Sequence, residues 1–330
     1  MYNKDSVPYF IMEVFMKKVV VFGGGTGITQ LLLGLKLFPV DITAVVTVAD
    51  NGKSTGKLRE EFDMPAVGDI RKVIVSLSDI DSKMKDLLSY RFDTTSDLDG
   101  HPIGNLIMAG MYNITGSLKE SIQVLSKFLN VEHKVLPLSE DYLTLMGETE
   151  NHKIIEGEHL ITESSEKIIR LFYKEEPNVI KDVLKEISKA DLIIFSMGSL
   201  FTSILPHIIC KQVVSAIDKS RAKIMYTCNA VTQPGETDNF TVSDHVKTIN
   251  SYLGKRKVSY VLAATSKIPK EIVEKYATAE QKDLVVIDPE ELKRIGCQLL
   301  TSDMLGIKDN MIRHKSLKLG AAIFNCIMEG

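Results

Sequence analysis

Residues 17–27 read KKVVVFGGGTG, and residues 28–38 continue with ITQLLLGLKLF. The apolar, β-branched run from Val19 to Phe22 predicts a buried parallel strand. Four glycines and a threonine follow, and the pattern after them is typical of a helix. Strand, glycine turn and helix form a common phosphate-binding unit, because glycine lets the backbone approach an anion and the first helical turn presents free N–H groups. We interpret this stretch as the phosphate loop of an α/β domain.

The spacing of these glycines departs from the dinucleotide fingerprint Gly-x-Gly-x-x-Gly. After Gly23 and Gly25, the third glycine would stand at position 28, which is Ile28. The alternative interpretation is a tight strand–helix turn without a ligand. We favour a ligand, because four glycines in five positions are more than a turn needs. The missing glycine also argues against a nicotinamide-dependent oxidoreductase.

Length and composition set broad limits on the kind of protein. At 330 residues the chain can bury a large core, in one large domain or two modest ones. Its hydrophobic content of 44% and charged content of 25% indicate an ordinary soluble globular protein. The net charge of −3, without a basic block, argues against nucleic acid as the main partner but not against an acidic metabolite. The four cysteines form no Cys-x-x-Cys pair, so we expect reduced core thiols.

The termini and hydropathy bear on location. Apolar runs all fall short of the about 18 residues of a membrane span, so we expect no membrane insertion. Residues 1–15 lack a basic start and a small-residue cleavage site, so we do not expect a signal peptide. We assign residues 1–16 to an N-terminal extension, with Met16 as a candidate start. The expected compartment is the cytoplasm, and the expected assembly is a homodimer.

Apolar runs alternate with helical patterns along most of the chain. The further predicted strands are residues 42–48, 191–195, 222–227, 258–263 and 284–287. Residues 134–174 differ, because short alternating runs separated by polar turns predict antiparallel β structure there. We therefore predict an α/β fold with a Rossmann-like, doubly wound, mostly parallel sheet. It forms a single domain over residues 17–330, with a small antiparallel β insertion at about 134–174.

Polar loops follow four of the predicted strands, at Gly23, Asp50, Gly198 and Asn229. In an open α/β sheet, ligands bind outside the carboxyl ends of the strands. Polar loops are common in any protein, but four of them at this one edge predict a ligand crevice.

Asp50 has two functional interpretations. It could bind a ribose hydroxyl, as the acid after the second strand does in dinucleotide folds, or it could bind Mg²⁺ beside a phosphate. The alternative is a turn-forming aspartate followed by Asn-Gly.

Residues 52–54 read Gly-Lys-Ser, like the end of a Walker A box, but the box needs a glycine where Thr47 stands. We therefore reject a P-loop nucleoside triphosphatase.

Two further loops carry candidate side chains. Residues 198–203 read Gly-Ser-Leu-Phe-Thr-Ser and open a helix, which suits a diphosphate, although simple N-capping by Ser199 is an equal alternative. Ser199 is a poor nucleophile candidate because the Gly-x-Ser-x-Gly elbow is missing.

His101 lies between glycines and could act as a general acid or base or contact phosphate, although a single loop histidine commonly does neither. The histidine and acid spacings do not match a transition-metal site.

A set of motifs occurs in order along the chain. They are Phe22-Gly23-Gly24-Gly25-Thr26-Gly27, Val48-Ala49-Asp50-Asn51-Gly52, Gly68-Asp69-Ile70-Arg71, Gly100-His101 with Gly104-Asn105, Gly198-Ser199-Leu200 with Thr202-Ser203-Ile204, Thr232-Gln233-Pro234-Gly235-Glu236-Thr237 and Ile312-Arg313-His314. From about Lys17 to the C-terminus this set resembles the YvcK-like gluconeogenesis factors. They are the bacterial branch of a superfamily that includes the 2-phospho-L-lactate transferases (CofD).

The resemblance implies a Rossmann-like fold with a bound nucleotide. The YvcK-like branch is associated with UDP-sugars such as UDP-N-acetylglucosamine, and with cell shape and wall synthesis on gluconeogenic carbon sources. The transferase branch uses Mg²⁺, a nucleotide-linked phospholactate and a deazaflavin acceptor. Transferred to this chain, the resemblance assigns nucleotide contacts to Gly24, Gly25, Thr26, Asn105, Gly198, Ser199, Asn229, Tyr276 and Arg313.

The chain also departs from the family pattern. Asn51 stands where the family has a second acid, which weakens a two-carboxylate metal site, and Phe201 replaces a tyrosine. Our first hypothesis, from the polar loops at one sheet edge and the family resemblance, is a non-catalytic or weakly catalytic regulator that binds a sugar nucleotide. The alternative is a Mg²⁺-dependent transferase of the 2-phospho-L-lactate transferase type. In that case Asp50 would hold the metal, and Asp69 or His101 would assist.

Overall fold

A computed structural model describes residues 16–308 and 310–329. The N-terminal extension that we assigned lies, apart from Met16, outside the described residues. The strands are β1 (Lys17–Gly23), β2 (Val40–Val46), β3 (Lys134–Pro137), β4 (Leu145–Thr149), β5 (Ile154–Glu156), β6 (Ile168–Tyr173), β7 (Leu192–Phe195), β8 (Lys223–Thr227), β9 (Tyr260–Ala264), β10 (Gln298–Ser302), β11 (Leu305–Lys308) and β12 (Met311–His314).

The helices connect these strands on both faces of the sheet. They are α1 (Gly25–Leu35), α2 (Lys53–Phe62), α3 (Gly68–Leu77), α4 (Ser82–Ser89), α5 (Ile103–Thr115), α6 (Leu118–Phe128), α7 (Glu158–Thr162), α8 (Lys181–Lys189), α9 (Leu205–Ile208), α10 (Lys211–Lys219), α11 (Val242–Tyr252), α12 (Lys270–Ala279), α13 (Pro289–Arg294) and α14 (Ser316–Glu329), with a π-helical turn at Leu200–Ile204 before α9.

The main sheet has seven parallel strands in the order β10-β9-β8-β7-β1-β2-β3. Strand β1 is central, and its Val21 lies opposite Ala44 of β2 and Ile194 of β7. From β1 the chain proceeds outward through β2 to β3, and it later proceeds through β7 to β10 on the other side. The strand order therefore reverses between β1 and β7, where ligand crevices form in such folds. The predicted Rossmann-like, doubly wound parallel sheet is confirmed.

The predicted insertion needs a correction at its start. Its first segment, β3, pairs in parallel with β2 and is the edge strand of the main sheet. The antiparallel sheet is formed by β4, β5 and β6, in the order β5-β4-β6. Residues 134–138 are an apolar run next to a proline, and such a short run does not reveal whether its partner will be parallel or antiparallel.

The predicted strand at 284–287 is also wrong. That segment makes only two isolated bridges, Val231 to Leu284 and Thr241 to Val286. The seventh strand of the sheet is instead β10, which pairs with β9. The sequence of β10 mixes polar and apolar residues because it lies at the sheet edge, where its side chains are only partly buried.

The interior of the sheet is covered on both faces. All four residues of β7 are buried, and so are the last five of β1. Helix α1 packs between α14 and α3. Three of the four cysteines are buried, Cys326 is half-buried, and all are free thiols. Within residues 16–308 and 310–329, no single helix is long and apolar enough to cross a membrane. Only the bent pair of Leu200–Ile208 and Lys211–Lys219 reaches that length and composition together.

Candidate functional site

A cavity of about 310 Å³ opens at the carboxyl edge of the main sheet, beside the ends of β1, β7 and β8. We call this cavity the glycine cleft. The predicted residues that line it are Gly24, Gly25, Thr26, Gly198, Ser199, Asn229 and Arg313. The charged side chains in the lining are Lys282 and Arg313, so the cleft suits an anionic ligand.

The glycine loop is held in place by Asp69. The Gly25 N–H donates to Oδ2 of Asp69 at 2.6 Å, and Lys72 Nζ donates to Oδ1 at 2.9 Å. Helix α1 begins at Gly25, and its N-cap residue, Gly24, has no side chain to accept from the first turn. N–H groups of that turn are therefore left for another acceptor, and an anion is the acceptor that a helix N-terminus favours.

The opposite wall is a turn at Gly198 that Asn229 clamps. The Gly198 N–H donates to Oδ1 of Asn229 at 2.8 Å, and Asn229 Nδ2 donates to the Gly198 carbonyl at 2.7 Å. Gly198 has a φ of 143°, a conformation that side-chain-bearing residues rarely adopt. Each polar atom of the Asn229 amide thus makes one hydrogen bond to the backbone of Gly198. We infer that Asn229 contributes to the cleft mainly by fixing its shape.

Ser199 caps the π-helical turn, as its alternative interpretation suggested. Its hydroxyl donates to the Glu236 carboxylate, with both oxygens at 2.8 Å, and accepts from the N–H and the hydroxyl of Thr202 at 2.9 and 2.7 Å. Glu236 is buried, and burial raises the pKa of its carboxyl group to about 7. We did not predict Glu236 as a site residue, although it lies in one of the quoted motifs.

The raised pKa of Glu236 predicts a dependence of stability on pH. The folded state holds this proton more tightly than the unfolded chain does. The contribution of this proton to the unfolding free energy is therefore complete below about pH 4.5, and it is lost as the pH rises through about 7. In Glu236→Gln no proton can be lost, so the unfolding free energy of the wild type should fall relative to the variant by on the order of 3 kcal/mol between pH 4.5 and 8. Chemical denaturation across this range checks it, with the exposed Glu150→Gln as control. If the difference in unfolding free energy between the wild type and Glu236→Gln did not change with pH, the pKa of Glu236 would not be raised in the folded state.

The hairpin of β11 and β12 closes the third side of the cleft. Arg313 is half-buried, and its recorded hydrogen bond is a weak one from Nη2 to Met311 Sδ at 3.3 Å. Tyr276 lies behind the hairpin rather than in the cleft lining, and its hydroxyl accepts from the Ile312 N–H at 2.8 Å. Burial lowers the pKa of His314 to about 4, so its imidazole is neutral at pH 7. The other cation of the cleft, Lys282, forms an ion pair with Glu280 at 2.8 Å. Within the described residues Arg313 has no such carboxylate partner, so it is the cleft cation more available to a ligand.

A group of acids separates the glycine cleft from the loop at Asp50. Burial, and then the neighbouring Asp69, raises the pKa of Asp50, whose Oδ1 accepts from the Gly52 N–H at 2.8 Å. Burial, and then Asp50, raises the pKa of Glu158 in α7. Within the described residues, however, no group of three histidine, cysteine or acidic side chains converges to hold a metal ion. The described part of the chain therefore offers no protein cage for Mg²⁺. Asp50 could complete the shell of an ion brought by a nucleotide, since Mg²⁺ needs only one or two carboxylates beside phosphate oxygens.

The antiparallel insertion contacts this acidic region. Asn51 Oδ1 accepts from the His159 N–H at 2.9 Å, and Arg59 donates to the carbonyls of Asp50 and Leu143, at 2.9 and 2.6 Å. The asparagine that departs from the family pattern thus ties the insertion to the Asp50 loop. We infer that the insertion fixes this loop in position.

Asn105 and His101, like Asp50 and Tyr276, do not line the glycine cleft. Asn105 lines a second cavity together with Asp50, and its side chain contacts Arg71 and Ser54. His101 is buried, its Nδ1 lies 3.0 Å from Ser54 Oγ, and burial lowers its pKa. A neutral, buried histidine with this contact is placed to support α2.

The cleft also contains residues that the sequence analysis missed. They are Gln30, Met197, Ser203, Gln233, Lys282 and His314, among others. Gln233 and His314 lie within quoted motifs, so they could have been found there. Lys282 precedes residues 284–287, for which the sequence predicts a strand. Nothing in the sequence around Lys282 indicates that it lines a ligand cleft. Among the described residues, Gln233 Oε1 and His314 Nε2 are buried without a hydrogen-bond partner.

Comparison with known proteins finds relatives that match nearly the whole of this chain. The sequence model of the family described as "2-phospho-L-lactate transferase CofD" matches residues 19–305. A protein of Bacillus subtilis (strain 168) named "Gluconeogenesis factor" is 41% identical over 313 residues, which cover 94% of this chain and 98% of that protein. Another of that name, from Halalkalibacterium halodurans, is 42% identical over 308 residues, which cover 93% and 95%.

The fold has a close counterpart among solved structures. A crystal structure of a Bacillus halodurans protein superposes with a TM-score of 0.90 at 42% identity, covering 94% of this chain and 99% of that one. The likeness therefore extends over nearly the whole of both chains, in sequence as well as in fold.

Proposed function

The chain belongs to the CofD family, among relatives named gluconeogenesis factor, and on that premise we propose that its glycine cleft binds the diphosphate of a sugar nucleotide. The ligand class that we propose is the UDP-sugars, with UDP-N-acetylglucosamine as the first candidate. The protein would act as a ligand-dependent regulator of cell shape and wall synthesis during growth on gluconeogenic carbon sources.

One observation carries this proposal. Two glycine turns, at Gly25 and Gly198, face one cavity that Arg313 also lines. The N–H groups of Gly25 and Gly198 are held by Asp69 and Asn229, so the N–H groups offered to a ligand are the later ones in the uncapped first turn of α1. A diphosphate matches such a site, because helix N-termini and arginine both favour phosphate oxygens. The acceptor atoms Gln233 Oε1 and, in one tautomer, His314 Nε2 would suit hydroxyl or N–H donors of the ligand.

A ligand panel tests this proposal. We expect UDP-N-acetylglucosamine to raise the thermal unfolding midpoint, since a ligand that binds only the folded state stabilises it. UDP should give a smaller shift, because it lacks the sugar, and NAD should give none. If NAD shifts the midpoint as much as the UDP-sugar does, the cleft recognises a dinucleotide and our proposal is wrong.

A second candidate is a Mg²⁺-dependent transferase, which the family match favours. The observation that supports it is the half-buried Asp50, whose carboxylate makes one backbone hydrogen bond and lies beside Asp69. A phosphoryl-group acceptor bound on the Asp50 side would meet a nucleotide bound on the glycine side. Asp50 would then hold the metal or orient the acceptor.

This candidate predicts that Asp50→Asn abolishes any turnover. The amide keeps the size of the side chain but removes the charge that a cation needs, so we expect a loss of about 100-fold or more. The measurement is nucleotide release from candidate donors with Mg²⁺, with Asp97→Asn in the exposed loop as control. Equal trace activity in the wild type and in Asp50→Asn would reject chemistry at Asp50.

A further inference from the structure

A second cavity, of about 670 Å³, lies on the other side of Asp69 from the glycine cleft. We call it the cationic cavity. Its basic lining residues are Lys53, Lys57, Arg71, Lys72 and Arg91, whereas Asp50 and Asp99 are its acids. A cavity of this size accommodates a small metabolite, and an excess of cations over acids favours an anionic one.

Arg71 is the central observation. The residue is only 7% exposed, and its Nε donates a hydrogen bond to Asn105 Oδ1 at 3.1 Å. Among the described residues, no carboxylate lies within ion-pair distance of its guanidinium, which lines the cavity. Burial, and then the neighbouring Arg91, lowers the pKa of Arg71, and the nearby Asp69 offsets this only in part. An anionic ligand at this position would therefore relieve a penalty that the empty protein carries.

The surroundings hold Arg71 in a fixed orientation. Asn105 Nδ2 donates to Ser54 Oγ at 3.2 Å, and Ser54 Oγ lies 3.0 Å from His101 Nδ1. These buried contacts link α3, α5 and the first turn of α2. Because Arg71 is buried and its Nε is held by Asn105, it would lose less side-chain entropy on binding a ligand than an exposed arginine would.

The first turn of α2 forms another part of the wall. Its N-cap is Gly52, which supplies no side-chain cap, and Lys53, Ser54 and Thr55 line the cavity. Open N–H groups at a helix start, a fixed arginine fork and flexible lysines together match the tetrahedral oxygens of a phosphate group.

We propose that the cationic cavity is a second ligand site, which binds the phosphate group of a small metabolite. Asp69 stands between the two sites: one of its oxygens accepts from Gly25 in the glycine cleft, and the other accepts from Lys72 in the cationic cavity. A phosphate that attracts Lys72 therefore acts on the same carboxylate that positions the glycine loop. The second site is independent of which nucleotide occupies the cleft.

Calorimetric titration with inorganic phosphate tests the site, at constant ionic strength set by chloride. We expect Lys53→Gln with Arg91→Gln to weaken phosphate binding by about tenfold or more, while the exposed pair Lys181→Gln with Lys189→Gln changes nothing. Arg71→Lys should also weaken binding, because an ammonium group cannot form the two parallel hydrogen bonds. If Arg71→Lys fails to fold, the double variant Lys53→Gln with Arg91→Gln still tests whether the cationic cavity binds phosphate.

The outcomes separate the two sites. Arg313→Ala should leave phosphate binding in the cationic cavity intact, whatever it does to the nucleotide. Loss of phosphate binding in Arg313→Ala, with retention in the Lys53 and Arg91 variant, would assign the phosphate to the glycine cleft and overturn the proposal. Absence of phosphate binding in the wild type would overturn it as well.

Discussion

Replacing Arg313 by alanine is expected to weaken binding of UDP-N-acetylglucosamine by about 10- to 100-fold, because a charge-assisted hydrogen bond to phosphate contributes roughly 1.5–3 kcal/mol. Arg313 is half-buried in the cleft wall, and its recorded hydrogen bond in the described chain is the weak one to Met311 Sδ. Its removal should therefore cost little stability. Calorimetric titration of the variant, together with its unfolding midpoint, checks both expectations.

The matched control is Arg221→Ala. Arg221 is exposed just before β8, at the amino edge of the sheet and thus at the opposite end from the cleft. The substitution removes the same charge and the same atoms, so it corrects for the change in net charge. Equal affinities of the two variants would remove Arg313 from the site.

Replacing Gly27 by alanine is expected to have the largest effect on the architecture of the cleft. A Cβ at position 27 would lie 1.8 Å from the Met197 carbonyl oxygen and 2.6 Å from its carbon. These are backbone atoms, so no side-chain rotation relieves the overlap, and the loop before Gly198 must move away from α1. We expect a loss of about 3 kcal/mol or more in unfolding free energy, and a loss of nucleotide binding even where the variant folds.

Gly110→Ala is the control for this change. Gly110 lies inside α5, and a Cβ there would meet no atom within 4 Å. Alanine in a helix interior is favoured over glycine by about 0.5–1 kcal/mol, so this variant should be slightly more stable than the wild type. Urea denaturation of both variants provides the measurement. If Gly27→Ala were as stable as Gly110→Ala, the close contact between α1 and the Met197 loop would not exist in solution.

The glycine loop and the elements beside it could be predicted from local sequence alone. The strand, the glycine turn and the helix were predicted from residues 17–38, because buried parallel strands are continuous apolar runs and helix starts have their own residue preferences. The carboxyl edge, as the edge where we expect a ligand, follows from the parallel sheet itself. Neither prediction required knowledge of contacts between distant residues.

The division of the site into two cavities could not be predicted in this way. Asp50 and Asn105 were assigned to one crevice with Gly24 and Ser199, but the structure places them on the far side of Asp69. This separation depends on how α3 and α5 pack, which sequence spacing does not specify. Likewise, nothing near Glu236 in sequence indicates that its carboxylate accepts from Ser199, 37 residues away.

The strand errors have a similar cause. The run at 284–287 is apolar enough for a strand, yet it makes only isolated bridges, whereas β10 is less apolar and completes the sheet. An edge strand needs apolar residues only where it faces a neighbouring element, so its pattern is weak. Position in the sheet, rather than local propensity, decided both outcomes.

The most direct test of the central claim is calorimetric titration of the wild-type protein with UDP-N-acetylglucosamine. If the glycine cleft binds the diphosphate of a sugar nucleotide, the titration should show one site per chain and an affinity that falls in Arg313→Ala but not in Arg221→Ala. Absence of binding up to millimolar ligand, or binding that is indifferent to Arg313, would contradict the account.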